Sequence, residues 1–75
     1  MYVAGLVIRS RPEQRPLIEQ QLVAWPGVEI HAVKADGRLV ATVEGEERRQ
    51  VADTILRLNA LPGVLNASLV YEESD

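Results

Sequence analysis

Apolar and polar positions along this chain alternate between two periods, and the period changes in a regular order. Tyr2 to Arg9 is almost continuously apolar, through Val3, Ala4, Gly5, Leu6, Val7 and Ile8, as a strand at the centre of a sheet would be. Ile18, Leu22 and Trp25 then recur at i, i+4 and i+7, which predicts a helix with that stripe turned toward the sheet. Ser10 and Glu13 have capping-box spacing and Pro12 suits an opening turn, while Pro16 has to fall in the first helical turn. Pro26-Gly27 ends the helix, because proline disfavours a helical residue before it and glycine accepts positive φ. Val28 to Lys34 alternates as a second strand, Ala35-Asp36-Gly37 turns the chain, and Arg38 to Glu44 reads as a third. A second helix begins near Glu46-Glu47 and turns Val51, Ile55 and Leu58 inward, until Pro62-Gly63 closes it. Val64 to Tyr71 makes a fourth strand, and Glu72 to Asp75 reads as a polar tail with little reason to be ordered.

The order is strand, helix, strand, twice over. Ala24-Trp25-Pro26-Gly27-Val28 returns 36 residues later as Ala60-Leu61-Pro62-Gly63-Val64, and at the same offset Leu22 falls on Leu58 and Val7 on Val43. Two such units are the pattern of the α+β ferredoxin-like split βαβ sandwich (βαββαβ), a four-stranded antiparallel sheet with two helices on one face. The usual strand order of that fold, 4-1-3-2, puts the first and third strands in the middle. Both are apolar on both parities: Tyr2, Ala4, Leu6 and Ile8 against Val3, Gly5 and Val7, and Leu39, Ala41 and Val43 against Val40 and Thr42. Whichever parity faces the helices, an apolar stripe remains on the open face, and such a patch marks an interaction surface. Val3, Gly5, Val7, His31, Val40 and Thr42 are assigned outward. In the fourth strand the repeat and the alternation disagree. The repeat aligns Val28 and Ile30 with Val64 and Asn66, whereas alternation sends Leu65, Ala67 and Leu69 to the core. Alternation is followed, because a buried, unpartnered Asn66 would be costly.

Composition narrows the classes. The 75 residues have room for one domain with one modest core, spanning 1–75 with the acidic tail at 72–75. Without cysteine, the chain has no disulfide, thiol catalysis or cysteine-type zinc site. The run Val3 to Ile8 is too short for a membrane span and lacks the surroundings of an export signal, which makes the cytoplasm the expected location and membrane insertion unexpected. A formal charge of −3 and a sequence pI near 5.1 argue against nucleic acid and for a basic partner.

The chemistry points the same way. His31 is the only histidine and has no companion ligands at metal spacing, so it reads either as a half-exposed strand residue beside Glu29 or as a polar contact at the rim of a peptide-binding face. No serine or threonine has a partner base, and no Gly-rich phosphate loop follows a strand; neither an enzyme nor a bound cofactor or metal is expected. Glu44, Glu72 and Glu73, with Glu46, Glu47 and Asp75 nearby in sequence, form a candidate electronegative rim for a basic peptide. Trp25 reads as a packing residue, since its repeat mate is Leu61.

Three stretches together, Pro26-Gly27-Val28-Glu29-Ile30-His31-Ala32, Gly37-Arg38-Leu39-Val40-Ala41-Thr42-Val43-Glu44 and Gly63-Val64-Leu65-Asn66-Ala67-Ser68-Leu69-Val70-Tyr71, resemble the NapD family, small cytoplasmic chaperones of periplasmic nitrate reductase. The resemblance runs from Val3 to Tyr71, with Leu6-Val7-Ile8 matching the family's apolar first strand. It departs after Tyr71, where the family commonly has histidine and this chain has Glu72. It implies binding of the twin-arginine signal peptide of the catalytic subunit, and export held back until the molybdenum cofactor and iron-sulfur cluster are in place. The implied peptide joins basic residues to an apolar segment, which suits an apolar sheet face with acidic residues at its rim. Two other classes share the architecture: a small-molecule regulatory domain of the ACT type, and a structural homodimer that buries two open faces against each other.

Overall fold

The computed structural model describes residues 1–74. The elements run β1 (Tyr2–Ser10), α1 (Arg15–Leu22), β2 (Val28–Val33), β3 (Arg38–Gly45), α2 (Arg48–Ala60) and β4 (Val64–Ser74). The strands form one sheet in the order β2-β3-β1-β4, with every neighbouring pair antiparallel. This is the expected ferredoxin-like order, with β1 and β3 central. Both helices pack on one side. Ala4, Leu6 and Ile8 of β1 and Leu39, Ala41 and Val43 of β3 are almost wholly buried there, against Ile18 and Leu22 of α1 and Val51 and Leu58 of α2. Tyr2, Val28, Ile30, Ile55, Val64 and Ala67 close the margins.

The two Pro-Gly turns are copies of each other. The amide of Val28 donates to Trp25 O at 3.3 Å, and that of Val64 to Leu61 O at 3.1 Å; the amides of Trp25 and Leu61 donate to Leu22 O and Leu58 O. Gly27 and Gly63 have φ of 80° and 91°, the left-handed conformation that glycine enters without steric cost. Beyond these turns the repeat loses register. Val7 is half-buried on the outward face, whereas Val43, at the same offset, lies in the core. The 36-residue offset therefore describes the helix ends and turns but not the first strand of each unit.

Three expectations change at the element ends. Ser10 does not cap α1. It is the last residue of β1, where its Oγ donates to Gly37 O at 2.7 Å, tying β1 to the β2–β3 turn. A turn over Arg11 to Arg15 intervenes, and α1 starts at Arg15 with Pro16 in its first turn, where the missing N–H costs nothing. Trp25 lies past the end of α1 and packs on the core from the turn, with the Arg57 guanidinium of α2 4.3 Å from its ring centroid. At the other end, the expected polar tail is strand. β4 continues to Ser74, because β1 begins at Tyr2 and offers backbone partners as far as Tyr2↔Ser74. Backbone pairing is indifferent to side-chain polarity, so Glu72 and Glu73 are carried into the sheet. Asp75 lies outside the described residues.

Candidate functional site

The helices leave one face of the sheet open, and the ladders fix what it displays. Across β3, β1 and β4, Val3 stands between Glu44 and Glu73, Gly5 between Thr42 and Tyr71, Val7 between Val40 and Ser68, and Arg9 between Arg38 and Asn66. All of these lie on the parity opposite to the buried Ala4, Leu6 and Ile8. Val3, Gly5, Val7, Val40 and Thr42 thus stand on the open face as the sequence suggested, and Glu29 and His31 join them from β2.

A shallow groove of about 340 Å³ runs through the middle of this face. Gly5, Val7, Val40 and Thr42 form its floor, His31 one side, and Val70 with Tyr71 the other. Val3 lies beyond its end. Gly5 is buried although it faces outward, because the Tyr71 ring lies directly over it and occupies the space a Cβ would need. The ring remains 46% exposed, so a glycine floor and an aromatic wall together offer a flat apolar surface to a ligand. Opposite, His31 Nε2 and Thr42 Oγ1 share a hydrogen bond of 2.8 Å, while His31 Nδ1 is 3.9 Å from Glu29 Oε1.

Both sides of the groove are β-bulges. In β2 the register slips between Ile30 and Ala32, which leaves His31 as the extra residue; in β4 it slips across Gly5 and Leu6, which leaves Val70. A bulge releases one residue from the ladder and re-aims its side chain. These two, on the two edge strands, frame the floor provided by the central pair. A second bulge in β4, at Leu65, settles the disagreement between repeat and alternation. Val64 packs inward as the repeat requires and Ala67 packs inward as alternation requires, because an extra residue separates them. Leu65 does not enter the core as expected and is 63% exposed. Leu69 turns to the helix side beside Val51 and Ile55 but remains half-exposed.

The candidate acidic rim divides. Glu44 and Glu73 flank Val3 at one end of the open face. Glu72 does not belong with them. It pairs with Ala4, points to the helix-covered side, and lies 3.9 Å from Arg48 of α2. There it borders the Tyr2 hydroxyl, whose pKa is raised by burial first and by the Glu72 carboxylate second. Val70 and Tyr71 are the groove residues that the sequence reading did not single out. A signal was available in the run Leu69-Val70-Tyr71, whose three consecutive apolar residues break alternation. Among the described residues no three of His, Cys, Asp or Glu gather as a metal-binding group, and no helix is long and apolar enough to cross a membrane.

A family model described as NapD protein matches residues 1–75. The chain belongs to the NapD family. It is 35% identical over 74 residues to Chaperone NapD of Escherichia coli strain K12, covering 97% of this chain and 85% of that protein. Chaperone NapD of Haemophilus influenzae is 27% identical over 75 residues, with 99% and 81% covered. A solved structure, the solution structure of the E. coli Tat proofreading chaperone protein NapD, superposes with a TM-score of 0.88 at 34% identity, over 99% of this chain and 80% of that one. NapD relatives are thus named as chaperones, a non-enzymatic role.

Proposed function

We propose that this protein is a cytoplasmic chaperone that binds the twin-arginine signal peptide of the periplasmic nitrate reductase catalytic subunit on its open sheet face. It holds back export until the cofactors of that subunit are in place. The observation that carries this reading is an apolar groove on an uncovered sheet face, with carboxylates beside one end, in a chain of the NapD family. A twin-arginine signal peptide has the complementary chemistry, a basic pair followed by an apolar segment. Val7, Val40, Val70 and Tyr71 receive the apolar part, and each half-exposed side chain that becomes covered contributes on the order of 1 kcal/mol. Glu44 and Glu73 stand two strand spacings apart, about 10 Å, where a pair of guanidinium groups can meet both. The His31–Thr42 pair offers a polar contact on a floor that is otherwise apolar.

Calorimetric titration tests this reading with two synthetic peptides: the signal peptide of the nitrate reductase catalytic subunit, and a twin-arginine peptide from an unrelated exported enzyme. Binding of the first alone is expected. Equal binding of both would deny a dedicated partner. Binding of neither would overturn the reading and return the open face to a homodimer or a small ligand.

A further inference from the structure

The open face carries a charge gradient along its strands. Glu44 and Glu73 occupy the row of Val3, with Glu29 one row further in on β2. The row of Val7 is apolar on β1 and β3, and the row of Arg9 brings in Arg38. The first and last of these rows are six residues apart on β1, or about 20 Å at a strand's rise per residue. At physiological salt that is more than two screening lengths, about 8 Å each, so a charge docked at one end feels that end alone. At the acidic end, neither Glu44 nor Glu73 has an ion-pair partner among the described residues; Glu29 lies 3.9 Å from His31, and Glu72, next to Glu73 in sequence, meets Arg48 on the opposite face. At the basic end, Arg38 Nε is held by Asp36 at 2.9 Å, while Arg9 has no carboxylate within ion-pairing distance among the described residues.

We propose that this gradient fixes the direction in which the signal peptide lies. This rests on the function proposed above. The arginine pair sits over Val3, between Glu44 and Glu73, and the apolar segment runs along Val7, Val40 and Tyr71. The chain then leaves past Arg9 and Arg38, at the end that carries the β2–β3 turn. In the reverse direction the arginines would meet Arg9 and Arg38, a like-charge encounter, and Glu44 and Glu73 would face the uncharged end of the apolar segment. The 20 Å path accepts about six residues of extended peptide or about thirteen of helix, so the direction does not depend on the bound conformation. The cargo protein, attached after the signal peptide, is thereby held at the β2–β3 turn end of the sheet and away from the end where β4 finishes.

Paramagnetic broadening tests this with isotope-labelled protein and the nitrate reductase signal peptide carrying a nitroxide at either terminus. An N-terminal label is expected to broaden the amides of Val3, Glu44 and Glu73, and a C-terminal label those of Arg9, Arg38 and Asn66. The opposite pattern, or equal broadening of both ends by both labels, overturns the direction while leaving peptide binding intact. Broadening confined to the helices overturns the open face as the site, and absence of binding overturns the function on which the direction rests. A second arm uses charge reversal. Glu44→Lys with Glu73→Lys is expected to weaken binding at least about tenfold, an effect that shrinks with added salt, while Arg49→Glu, on the exposed surface of α2, leaves affinity within about threefold. Equal losses in the two variants would overturn the assignment.

Discussion

The two faces of this sheet are built from much the same residues and meet opposite fates. Val43 on one face is 1% exposed; Val40, three positions earlier in the same strand on the other, is 36% exposed. Neither hydropathy nor strand propensity separates them. Val43 has Val51 and Leu58 in the helix layer opposite its face, while Val40 has only neighbours within its own sheet. Burial therefore follows from what the chain lays over a strand. A face that is apolar but unroofed retains free energy to be gained from a ligand. Polar residues also divide between the faces: Glu73 and Glu72 are adjacent in β4, yet one joins the open face and the other turns to the helix side, where it meets the exposed Arg48.

The largest expected effect is on the roofed face. Leu39→Ala removes a fully buried side chain from the central strand and should cost about 2–5 kcal/mol of stability, read as a lowered midpoint in urea unfolding. A loss under about 1 kcal/mol would mean that the helix layer packs more loosely than the buried core suggests. On the open face the balance reverses. Val7→Asp or Val40→Asp should leave unfolding within about 1 kcal/mol of the parent chain, because the new carboxylate remains in reach of water, yet weaken signal-peptide binding by about tenfold or more. Unchanged affinity in both variants would remove this face from the account.

A smaller effect probes the place where the open face makes a cover for itself. Gly5→Ala puts a Cβ where the Tyr71 ring lies and should destabilise by about 1 kcal/mol while displacing the ring, visible as changed ring-current shifts at β1 amides. In a Tyr71→Ala background the same change should be neutral or stabilising, since glycine weakens a strand that has no reason for it. Additive effects would show that ring and glycine are not coupled. The smallest effect concerns how the helix layer is fastened. Arg57→Gln removes the cation over Trp25 and should cost about 0.5–1 kcal/mol, with a red-shifted tryptophan emission as water reaches the ring. An unchanged spectrum would place the ring's shielding elsewhere.

What the sequence determined by itself is the part governed by local rules. Pro26-Gly27 and Pro62-Gly63 make the same turn with the same hydrogen bonds, since proline sets one dihedral and glycine alone enters the next without strain. Asp36-Gly37 likewise closes β2 onto β3, with Gly37 at a φ of 97°. Regular alternation in β1 and β3 then grouped Val3, Gly5 and Val7 on one face of β1 and Val40 and Thr42 on one face of β3, because side chains on an undisturbed strand must change face at every residue; with both parities apolar, it was the helix layer that decided which face stayed open. Tertiary structure decided whatever depends on a partner strand. The bulges at His31, Leu65 and Val70 are irregularities of pairing, and each shifts the faces of the residues beyond it. That is why alternation mistook Leu65 for a core residue, why Glu72 turns to the helix side and not to the rim, and why Tyr71 comes to lie on Gly5. The reach of β4 to Ser74 has the same origin, since the length of an edge strand is set by the strand it pairs with, and β1 offers partners all the way to Tyr2.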